Sequence, residues 1–310
     1  MKKIFILILI SFGLSAQQSV TIPSVTTNTG TGYVEVLTGS LGVDVYPSAQ
    51  LLLDAYPNAT IAYSLSKLKT SYSGNCIRVR RSSDNAESDI GFSGNDLNTT
   101  QLSTFVGANN AFITKWYDQS GNANDLVQAT AVSQPQIMTV GVLKTVNGKA
   151  AMTFDGVNDF MSLTSTISAA VSWSIFQVSD RRVAAKMGFV MSNVGAAFPP
   201  TTIMHYTDNN VYISAGTTAY NSSSTDTGIA QKIWSGVRNG TAGYIWKNGT
   251  TVTMTNFAAT SVGTFDLVGK RASVPIFTDG NVQCFIFYAS DKTSSISGIN
   301  SKINAYFSVY

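Results

Sequence analysis

Two Asn-Gly steps, Asn239-Gly240 and Asn248-Gly249, separate three short runs in which apolar and polar residues alternate. The runs cover residues 233–238, 243–247 and 250–255. Asn and Gly both tolerate the positive φ that a two-residue hairpin turn requires, so this pattern is the strongest short-range signal for hairpins. The segment therefore predicts three consecutive antiparallel strands.

Other short runs on both sides of this meander also predict strands, because each is bounded by turn-forming residues. They are residues 76–80, 112–117, 148–154, 160–163, 172–178, 188–191, 202–206, 211–214 and 282–288. So many short strands with turns between them predict an all-β fold, namely a two-sheet antiparallel sandwich.

Helices are predicted only near the two ends of this strand-rich region. Residues 59–70 carry Ile61, Leu65 and Leu68 at helical spacing, which predicts a short N-terminal helix. A C-terminal helix is predicted from the same spacing of Ile296, Ile299, Ile303 and Phe307. Residues 97–105 are interpreted as a connector between strands.

The N-terminus has the order of a secretory signal. A charged start, Met1-Lys2-Lys3, precedes an apolar run over residues 4–14 and then Ser15-Ala16. We therefore expect a signal peptide at residues 1–16, an extended lead-in at 17–58 and the sandwich domain at 59–310. The apolar run is shorter than the roughly 20 residues of a membrane span, so we expect a secreted protein, extracellular or periplasmic, with no membrane span.

The composition argues against nucleic acid as a partner. Charged residues make up 12% of the chain and the net charge is +3, and the one cluster of arginines, at residues 78–81, lies in a strand-like run with acidic residues nearby. A nucleic-acid surface would show a basic groove with interleaved aromatic residues.

Cys76 and Cys284 are the two cysteines of the chain. Each lies in a strand-like segment, and an exported chain permits oxidation. A disulfide between them and two buried free thiols are both compatible with the sequence, because spacing does not show whether their Cβ atoms face each other.

The segment Trp116-Tyr117-Asp118-Gln119-Ser120-Gly121-Asn122 closes a strand with a dense cluster of turn-forming side chains. With residues 78–85 upstream and 134–137 downstream, it resembles the catalytic domain of the arabinofuranosidase B family of glycoside hydrolases over residues 62–137. Residues 149–310, with Phe154-Asp155-Gly156-Val157-Asn158-Asp159 and the Asn-Gly meander, resemble the laminin-G or concanavalin A-like jelly roll. Both resemblances imply a jelly-roll sandwich.

The resemblance to arabinofuranosidases also implies a catalytic pair, a Glu nucleophile and an Asp acid/base in the later half of the domain. Glu35 and Glu87 are the only glutamates of this chain, and the family's adjacent cysteines are missing as well. Lys270 and Arg271 stand where the resemblance would put the acid/base. If the chain is nevertheless an enzyme, the carboxylates available to it are Asp155, Asp159, Asp208, Asp266 and Asp279.

Asp155 and Asp159 have two interpretations. They cap the turn between two strands, or they contribute to a calcium site, although two carboxylates four residues apart make a weak metal signal. His205, the single histidine, has no partner pattern for a triad or a metal set.

Sugar binding needs aromatic rings for the C–H faces of a sugar and polar side chains for its hydroxyls. The loop residues Asp118, Gln119 and Asn122 and the aromatic residues Tyr206, Tyr212 and Trp246, which lie near turns, are the candidates. For the loop residues, holding the loop is the competing role.

Three functions follow from these observations. The first is a secreted, non-catalytic sandwich that binds a polysaccharide or glycan, with arabinose-containing glycans as one candidate. The second is an active α-L-arabinofuranosidase whose carboxylates have moved, and the third is a structural or adhesive surface protein. None of the three requires a cofactor.

Overall fold

The computed structural model describes residues 50–189, 191–192, 201–205, 207–215, 220–256, 262–271 and 275–310. The predicted signal peptide and residues 17–49 of the predicted lead-in lie outside these ranges, as does Tyr206. From Leu51 to Tyr310 the chain forms one compact unit made mainly of antiparallel strands.

The strands are short and are numbered here in chain order. The first thirteen are β1 (Ile61–Ser64), β2 (Ile77–Arg81), β3 (Glu87–Ile90), β4 (Phe92–Ser93), β5 (Asp96–Leu97), β6 (Ala111–Trp116), β7 (Leu126–Val127), β8 (Gln136–Thr139), β9 (Val142–Leu143), β10 (Thr145–Val146), β11 (Lys149–Ala150), β12 (Met152–Asp155) and β13 (Met161–Ala169). The others are β14 (Ser172–Ser179), β15 (Met191–Ser192), β16 (Thr201–His205), β17 (Asn210–Ala215), β18 (Tyr220–Thr225), β19 (Lys232–Asn239), β20 (Ala242–Lys247), β21 (Thr250–Asn256), β22 (Gly263–Val268), β23 (Lys270–Arg271), β24 (Ile276–Phe277) and β25 (Asp279–Tyr288). The helices are α1 (Leu52–Ala55), α2 (Thr99–Val106) and α3 (Ile296–Phe307), with short 3-10 turns at Ala131–Ser133 and Thr293–Ser295.

The long strand β25 organises one layer of the sandwich. It pairs with β14 along one edge, and β14 continues through β19 and β20 to β21. Along its other edge β25 pairs first with β12 and then with β1. The opposite layer runs β3, β2, β6, then β7 and β8 side by side, then β13, β22 and β15. The two layers are joined where β12 pairs with β8.

Alternate residues of β25 fill two separate apolar cores, as the two-residue period of a strand requires. Phe285 and Phe287 of β25 point between the layers, where they meet residues such as Val79 and Phe265. Ile286 and its neighbours on the other face pack against α3 and α1 in a second cluster. The predicted all-β sandwich and its C-terminal helix are thereby confirmed.

The predicted meander is confirmed as β19, β20 and β21. Asn248 and Gly249 have φ values of 52° and 77°, so both residues of this turn adopt the positive φ that a type I′ hairpin requires. The Asn239-Gly240 step ends β19, with Gly240 at a φ of 60°.

The helix predicted within residues 59–70 is wrong, because this segment begins with strand β1. Ile61 pairs with Phe287 and Ser64 with Cys284, and the backbone N–H of Leu65 continues the contact by donating to the carbonyl of Gln283 at 3.0 Å. The local helical spacing is overridden by pairing with a strand from the other end of the chain. The helix near the start of the unit is instead the single turn α1.

The predicted connector at residues 97–105 contains a second helix that the sequence analysis missed. Helix α2 begins after Asn98, whose side-chain oxygen accepts the backbone N–H of Gln101 at 3.0 Å. An Asn in this position is a standard N-cap, so a local signal for the helix was present.

Cys76 and Cys284 are buried free thiols, so the disulfide alternative is not realised. The side chain of Cys76 lies in the core between the layers, whereas Cys284 belongs to the cluster beneath α3. The two sulfurs therefore lie on opposite faces of the layer that contains β1 and β25, and no S–S bond can cross it.

Candidate functional site

The loop after β6 is held by the carboxylate of Asp118, which is 4% exposed. One of its oxygens accepts the backbone N–H groups of Ala62 and Ser120, both at 2.9 Å. The other accepts the hydroxyl of Ser120 at 2.7 Å and the N–H of Asn124 at 3.2 Å. Burial raises the pKa of Asp118, and these hydrogen bonds oppose that rise.

Gln119 joins the same loop to the segment that follows β1. Its side-chain oxygen accepts the N–H of Leu68 at 2.8 Å, and its amide donates to the carbonyls of Ser64 and Ser66 at 2.9 and 3.0 Å. The exposed Asn122 donates to the carbonyl of Thr60 at 3.0 Å. All three predicted loop residues thus make contacts within the fold, and sugar binding by them stays a prediction.

The predicted aromatic candidates occupy different environments. Trp246 is 9% exposed, lies in the cluster beneath α3 and packs on Tyr244 with ring centroids 5.8 Å apart, so its ring has little surface left for a sugar. Tyr212 is half-buried, packs on Met187, and donates its hydroxyl to Asp208 at 2.5 Å. Tyr206 is outside the described residues.

Two consecutive arginines after β14 connect the loops at one end of the sandwich. Arg182 donates to the carboxylate of Asp279 at 2.6 Å and to the carbonyl of Asp155 at 2.8 Å. Arg181, only 3% exposed, donates to the side chain of Asn209 at 3.1 Å and to the carbonyl of Asp226. We call this region, formed by residues 155–160, 180–188, 207–212, 226–232, 269–271 and 275–279, the arginine-linked end.

The arginine-linked end contains four of the five aspartates proposed for an enzyme. Asp155 and Asp279 are direct partners in the pairing of β12 with β25. The carboxyl group of Asp159 accepts the N–H of Asp155 at 2.9 Å, and Asp208 adjoins the Asn209 that Arg181 contacts. Asp266 is elsewhere, on β22.

Most of these carboxylates are occupied by the fold. One oxygen of Asp155 accepts the backbone N–H groups of Val157, Asn158 and Asp159 at 2.8, 3.0 and 3.3 Å, which closes the turn between β12 and β13. Asp279 forms an ion pair with Arg182 at 2.6 Å. These hydrogen bonds support the interpretation that Asp155 caps the turn.

Asp159 differs from its neighbours in its protonation. It is 5% exposed, and burial followed by the charge of Asp155 raises the pKa of its carboxyl to about 7. A carboxyl with such a pKa keeps a proton near neutral pH, which is the property of a general acid, although a buried structural carboxyl has it too.

A small pocket opens beside Arg181 at this end, lined among others by Asp180, Lys232 and Trp234. Lys232 is 8% exposed and its Nζ lies 3.2 Å from Asp226. Burial lowers the pKa of Lys232, and Asp226 partly offsets this effect. The wall of the pocket therefore includes, in addition to Arg181, a buried lysine that is paired with Asp226.

Half-exposed aromatic residues lie around Lys270 at the same end. The Nζ of Lys270 is 5.0 Å from the ring centroid of Phe160 and 5.5 Å from that of Phe277. Ile276, next to Phe277, packs on Met187 together with Tyr212. We call Phe160, Tyr212 and Phe277 the aromatic rim.

Sequence reasoning missed most of this site. The arginines after β14 and the two phenylalanines of the rim carry no recognisable motif, and in the sequence Lys270 is only a departure from the catalytic pattern. The one available signal was the pair Arg181-Arg182 directly after an apolar strand, a position in which two cations are unusual.

Among the residues that the structure describes, no three His, Cys, Asp or Glu side chains form a group that could hold a metal ion. Calcium binding by Asp155 and Asp159 stays a prediction. No helix in the same part is long and apolar enough to cross a membrane.

Comparison with known proteins connects this fold to one family. Residues 50–188 match the family model described as alpha-L-arabinofuranosidase B, catalytic. The resemblance inferred from residues 62–137 is thereby confirmed and extended on both sides. No curated protein matches the chain.

Two solved structures show the same fold. One is an arabinofuranosidase complexed with arabinofuranosyl-alpha-1,2-xylobiose, with a TM-score of 0.62 and 17% identity over 82% of this chain and 64% of that chain. The other is a GH54 α-L-arabinofuranosidase soaked with a cyclic sulfate inhibitor, with a TM-score of 0.64 and 15% identity over the same shares, 82% and 64%. The present chain thus spans less than two thirds of the length of these structures.

Proposed function

We propose that this chain, with its arabinofuranosidase-like catalytic-domain fold, is a secreted protein that binds glycans without cleaving them. The family match over residues 50–188 supports a function in glycan binding or hydrolysis. The observation that favours binding is the absence of any glutamate after Glu87, because the resemblance implies a Glu nucleophile in the later half of the domain.

The carboxylates of the arginine-linked end do not readily replace that nucleophile. A retaining glycosidase needs two carboxyl groups about 5–5.5 Å apart, one of them free to attack the sugar. Asp155 caps three backbone amides and Asp279 is paired with Arg182. If either carboxylate attacked a sugar, it would have to break these hydrogen bonds or this ion pair, which hold the loops together.

The aromatic rim is the surface that we propose for the glycan. Phe160, Tyr212 and Phe277 are half-exposed at one end of the sandwich, and Asp155, five residues before Phe160, is exposed. Phenyl faces accept the C–H groups of a sugar ring, while carboxylates accept its hydroxyls. Arabinose-containing polysaccharides are the first ligands to test, because one structure of the same fold is complexed with arabinofuranosyl-alpha-1,2-xylobiose.

Affinity electrophoresis in gels containing arabinoxylan or arabinan tests this binding directly. We expect retardation of the protein, and a loss of about 2- to 10-fold in affinity for Phe160→Ala and Phe277→Ala, the range for one aromatic contact. Phe112→Ala is the matched control, because Phe112 is also half-exposed and carries a cation, Arg80, 5.0 Å from its ring, but lies on β6. Equal affinity of all three variants and the unchanged protein would show that the aromatic rim is not the glycan-binding surface.

The alternative of an active α-L-arabinofuranosidase is tested with an aryl α-L-arabinofuranoside. We expect no turnover above the uncatalysed rate. Turnover that a single substitution of Asp155, Asp159, Asp208, Asp266 or Asp279 by Asn abolishes would establish an enzyme and disprove the proposal. A glycan array on which nothing binds would instead favour a structural or adhesive protein.

A further inference from the structure

Lys270 lies between two half-exposed phenyl rings at the arginine-linked end. Its ammonium is 5.0 Å from the ring centroid of Phe160 and 5.5 Å from that of Phe277. Phe277 is its direct partner across the short β23–β24 ladder. The cation is attracted to both ring faces, so its position is restricted although the side chain is partly exposed.

The ammonium of Lys270 contacts no carboxylate in the part of the chain that the structure describes. Other lysines of the described chain do have one: Lys115 lies 3.4 Å from Asp125, Lys149 lies 3.3 Å from Asp96 and Lys232 lies 3.2 Å from Asp226. An ammonium has three N–H donors, and two rings occupy at most two of them. At least one donor of Lys270 is therefore available to an acceptor from outside the fold.

The backbone around Lys270 is fixed. Gly269 has a φ of 87°, and a Cβ at this position would lie 2.5 Å from an atom of the Phe154 ring. The carbonyl of Gly269 accepts the N–H of Thr278 at 2.8 Å, and the carbonyl of Lys270 accepts the hydroxyl of Ser192 at 2.6 Å. The cation and its two rings are thus presented on a rigid support, which favours ligand binding because little ordering is needed.

The acidic residues nearby do not neutralise Lys270. Asp279, two residues after Phe277, is paired with Arg182. Asp159 precedes Phe160, and its raised pKa leaves much of its carboxyl protonated at neutral pH. Neither Asp279 nor Asp159 therefore cancels the positive charge of Lys270.

We propose that Lys270, Phe160 and Phe277 form a subsite for an anionic sugar, a uronic acid residue of the bound glycan. The carboxylate of the uronic acid accepts a hydrogen bond from the ammonium, while C–H groups of the sugar ring contact the phenyl rings. The inference rests on the proposed glycan binding and deepens it, since it names the acidic sugar as the feature that this end of the sandwich selects.

The test compares two pairs of oligosaccharides by isothermal titration calorimetry. One pair is a xylo-oligosaccharide carrying a single glucuronic acid and the same oligosaccharide without it, and the other is an oligogalacturonide and its methyl ester. We expect the acidic member of at least one pair to bind about tenfold more tightly, as one charge-assisted hydrogen bond allows. In Lys270→Gln this preference should disappear while the affinity for the neutral member stays within about twofold.

Lys292→Gln provides the matched control. Lys292 is also half-exposed and lies over an aromatic ring, with its Nζ 4.6 Å from the centroid of Tyr288, but at the far end of β25. This variant should keep the preference for the acidic sugar. Thermal unfolding of both variants shows whether the fold is intact, and a loss of the preference in Lys292→Gln as well would overturn the assignment.

The outcomes separate this inference from the function on which it rests. If neutral glycans bind at the rim and acidic ones bind no better, the uronic acid subsite is wrong and the proposed function stands. If no glycan of either kind binds, the proposed function is wrong as well. Tighter binding of a sulfated oligosaccharide than of either uronate would overturn the assignment to a carboxylate.

Discussion

Asp159 shows how one residue couples the stability of the turn between β12 and β13 to pH. Burial, followed by the charge of the adjacent Asp155, raises the pKa of its carboxyl from the usual value of an aspartate to about 7. Because the folded state holds this proton more tightly than the unfolded state, Asp159 favours unfolding as the pH rises from about 4 to about 7, and its full cost is present above that range.

Replacing Asp159 by Asn should therefore stabilise the protein most at alkaline pH. An amide keeps an oxygen that accepts the N–H of Asp155 but has no charge to bury. Near pH 4 we expect the variant and the unchanged protein to have the same free energy of unfolding. At pH 8 we expect this free energy to be higher in the variant by at most about 4 kcal/mol. The measurement is the free energy of unfolding in urea at several pH values.

Asp84→Asn is the control for this experiment. Asp84 is exposed, and its hydrogen bond to Arg81 lowers its pKa to about 2, so it does not titrate between pH 5 and pH 8. Its substitution should leave the slope of stability against pH unchanged over that range. A slope for Asp159→Asn that equals that of the unchanged protein would show that Asp159 is ionised in the fold.

At the scale of elements, the junction between β22 and β23 depends on Gly269. The chain there adopts a φ of 87°, and the ring of Phe154 and the backbone of Phe160 fill the space that a side chain would need. This close approach brings Lys270 next to Phe160. The geometry of the proposed subsite therefore depends on a glycine outside it.

Comparison of Gly269→Ala with Gly240→Ala separates conformational strain from crowding. Both glycines have positive φ, 87° and 60°, but a Cβ at Gly240 would meet nothing within 4 Å. We expect Gly240→Ala to lower the free energy of unfolding by about 1–2 kcal/mol, the cost of positive φ for an L-residue. Gly269→Ala should cost at least about 1 kcal/mol more, because the neighbours must also shift. If a denaturant titration shows that both variants lose the same free energy of unfolding, crowding at Gly269 is contradicted.

At the scale of the whole molecule, the first and last strands of the part that the structure describes pair with each other. Strand β1 lies beside β25, and the layer that contains them separates the two apolar cores. Cys76 and Cys284 lie on opposite faces of this layer. Burial raises the pKa of the Cys76 thiol well above its usual value and that of Cys284 to about 12, so neither thiolate forms near neutral pH.

Thiol titration tests this arrangement. Native protein at pH 8 should not react with an aromatic disulfide reagent, because both thiols are inaccessible and protonated. In guanidinium chloride without reductant, two thiols should react for each chain. No reaction in denaturant until a reductant is added would show that the two cysteines form a disulfide, in contradiction to the structure.

Local sequence signals determined those parts of the protein whose contacts are close along the chain. The Asn-Gly steps specified the β19–β21 meander, because the turn residues themselves supply the positive φ. The spacing of Ile296, Ile299, Ile303 and Phe307 specified α3. In the loop after β6, the hydrogen bonds that Asp118 accepts from the N–H groups of Ser120 and Asn124 are also local. The family resemblance was also readable, since its motif lies in one continuous segment.

Tertiary structure alone decided what depends on distant partners. Residues 61–64 form a strand and not a helix because β25 supplies the hydrogen bonds, and the faces of Cys76 and Cys284 follow from that pairing. Trp246 is buried in an apolar cluster that it shares with residues of α3. The arginine-linked end exists only because the pairing of β12 with β25 and the β23–β24 hairpin bring Asp155, Arg182, Lys270 and two phenylalanines together. Side-chain type alone cannot predict such proximity, because it arises from long-range backbone pairing.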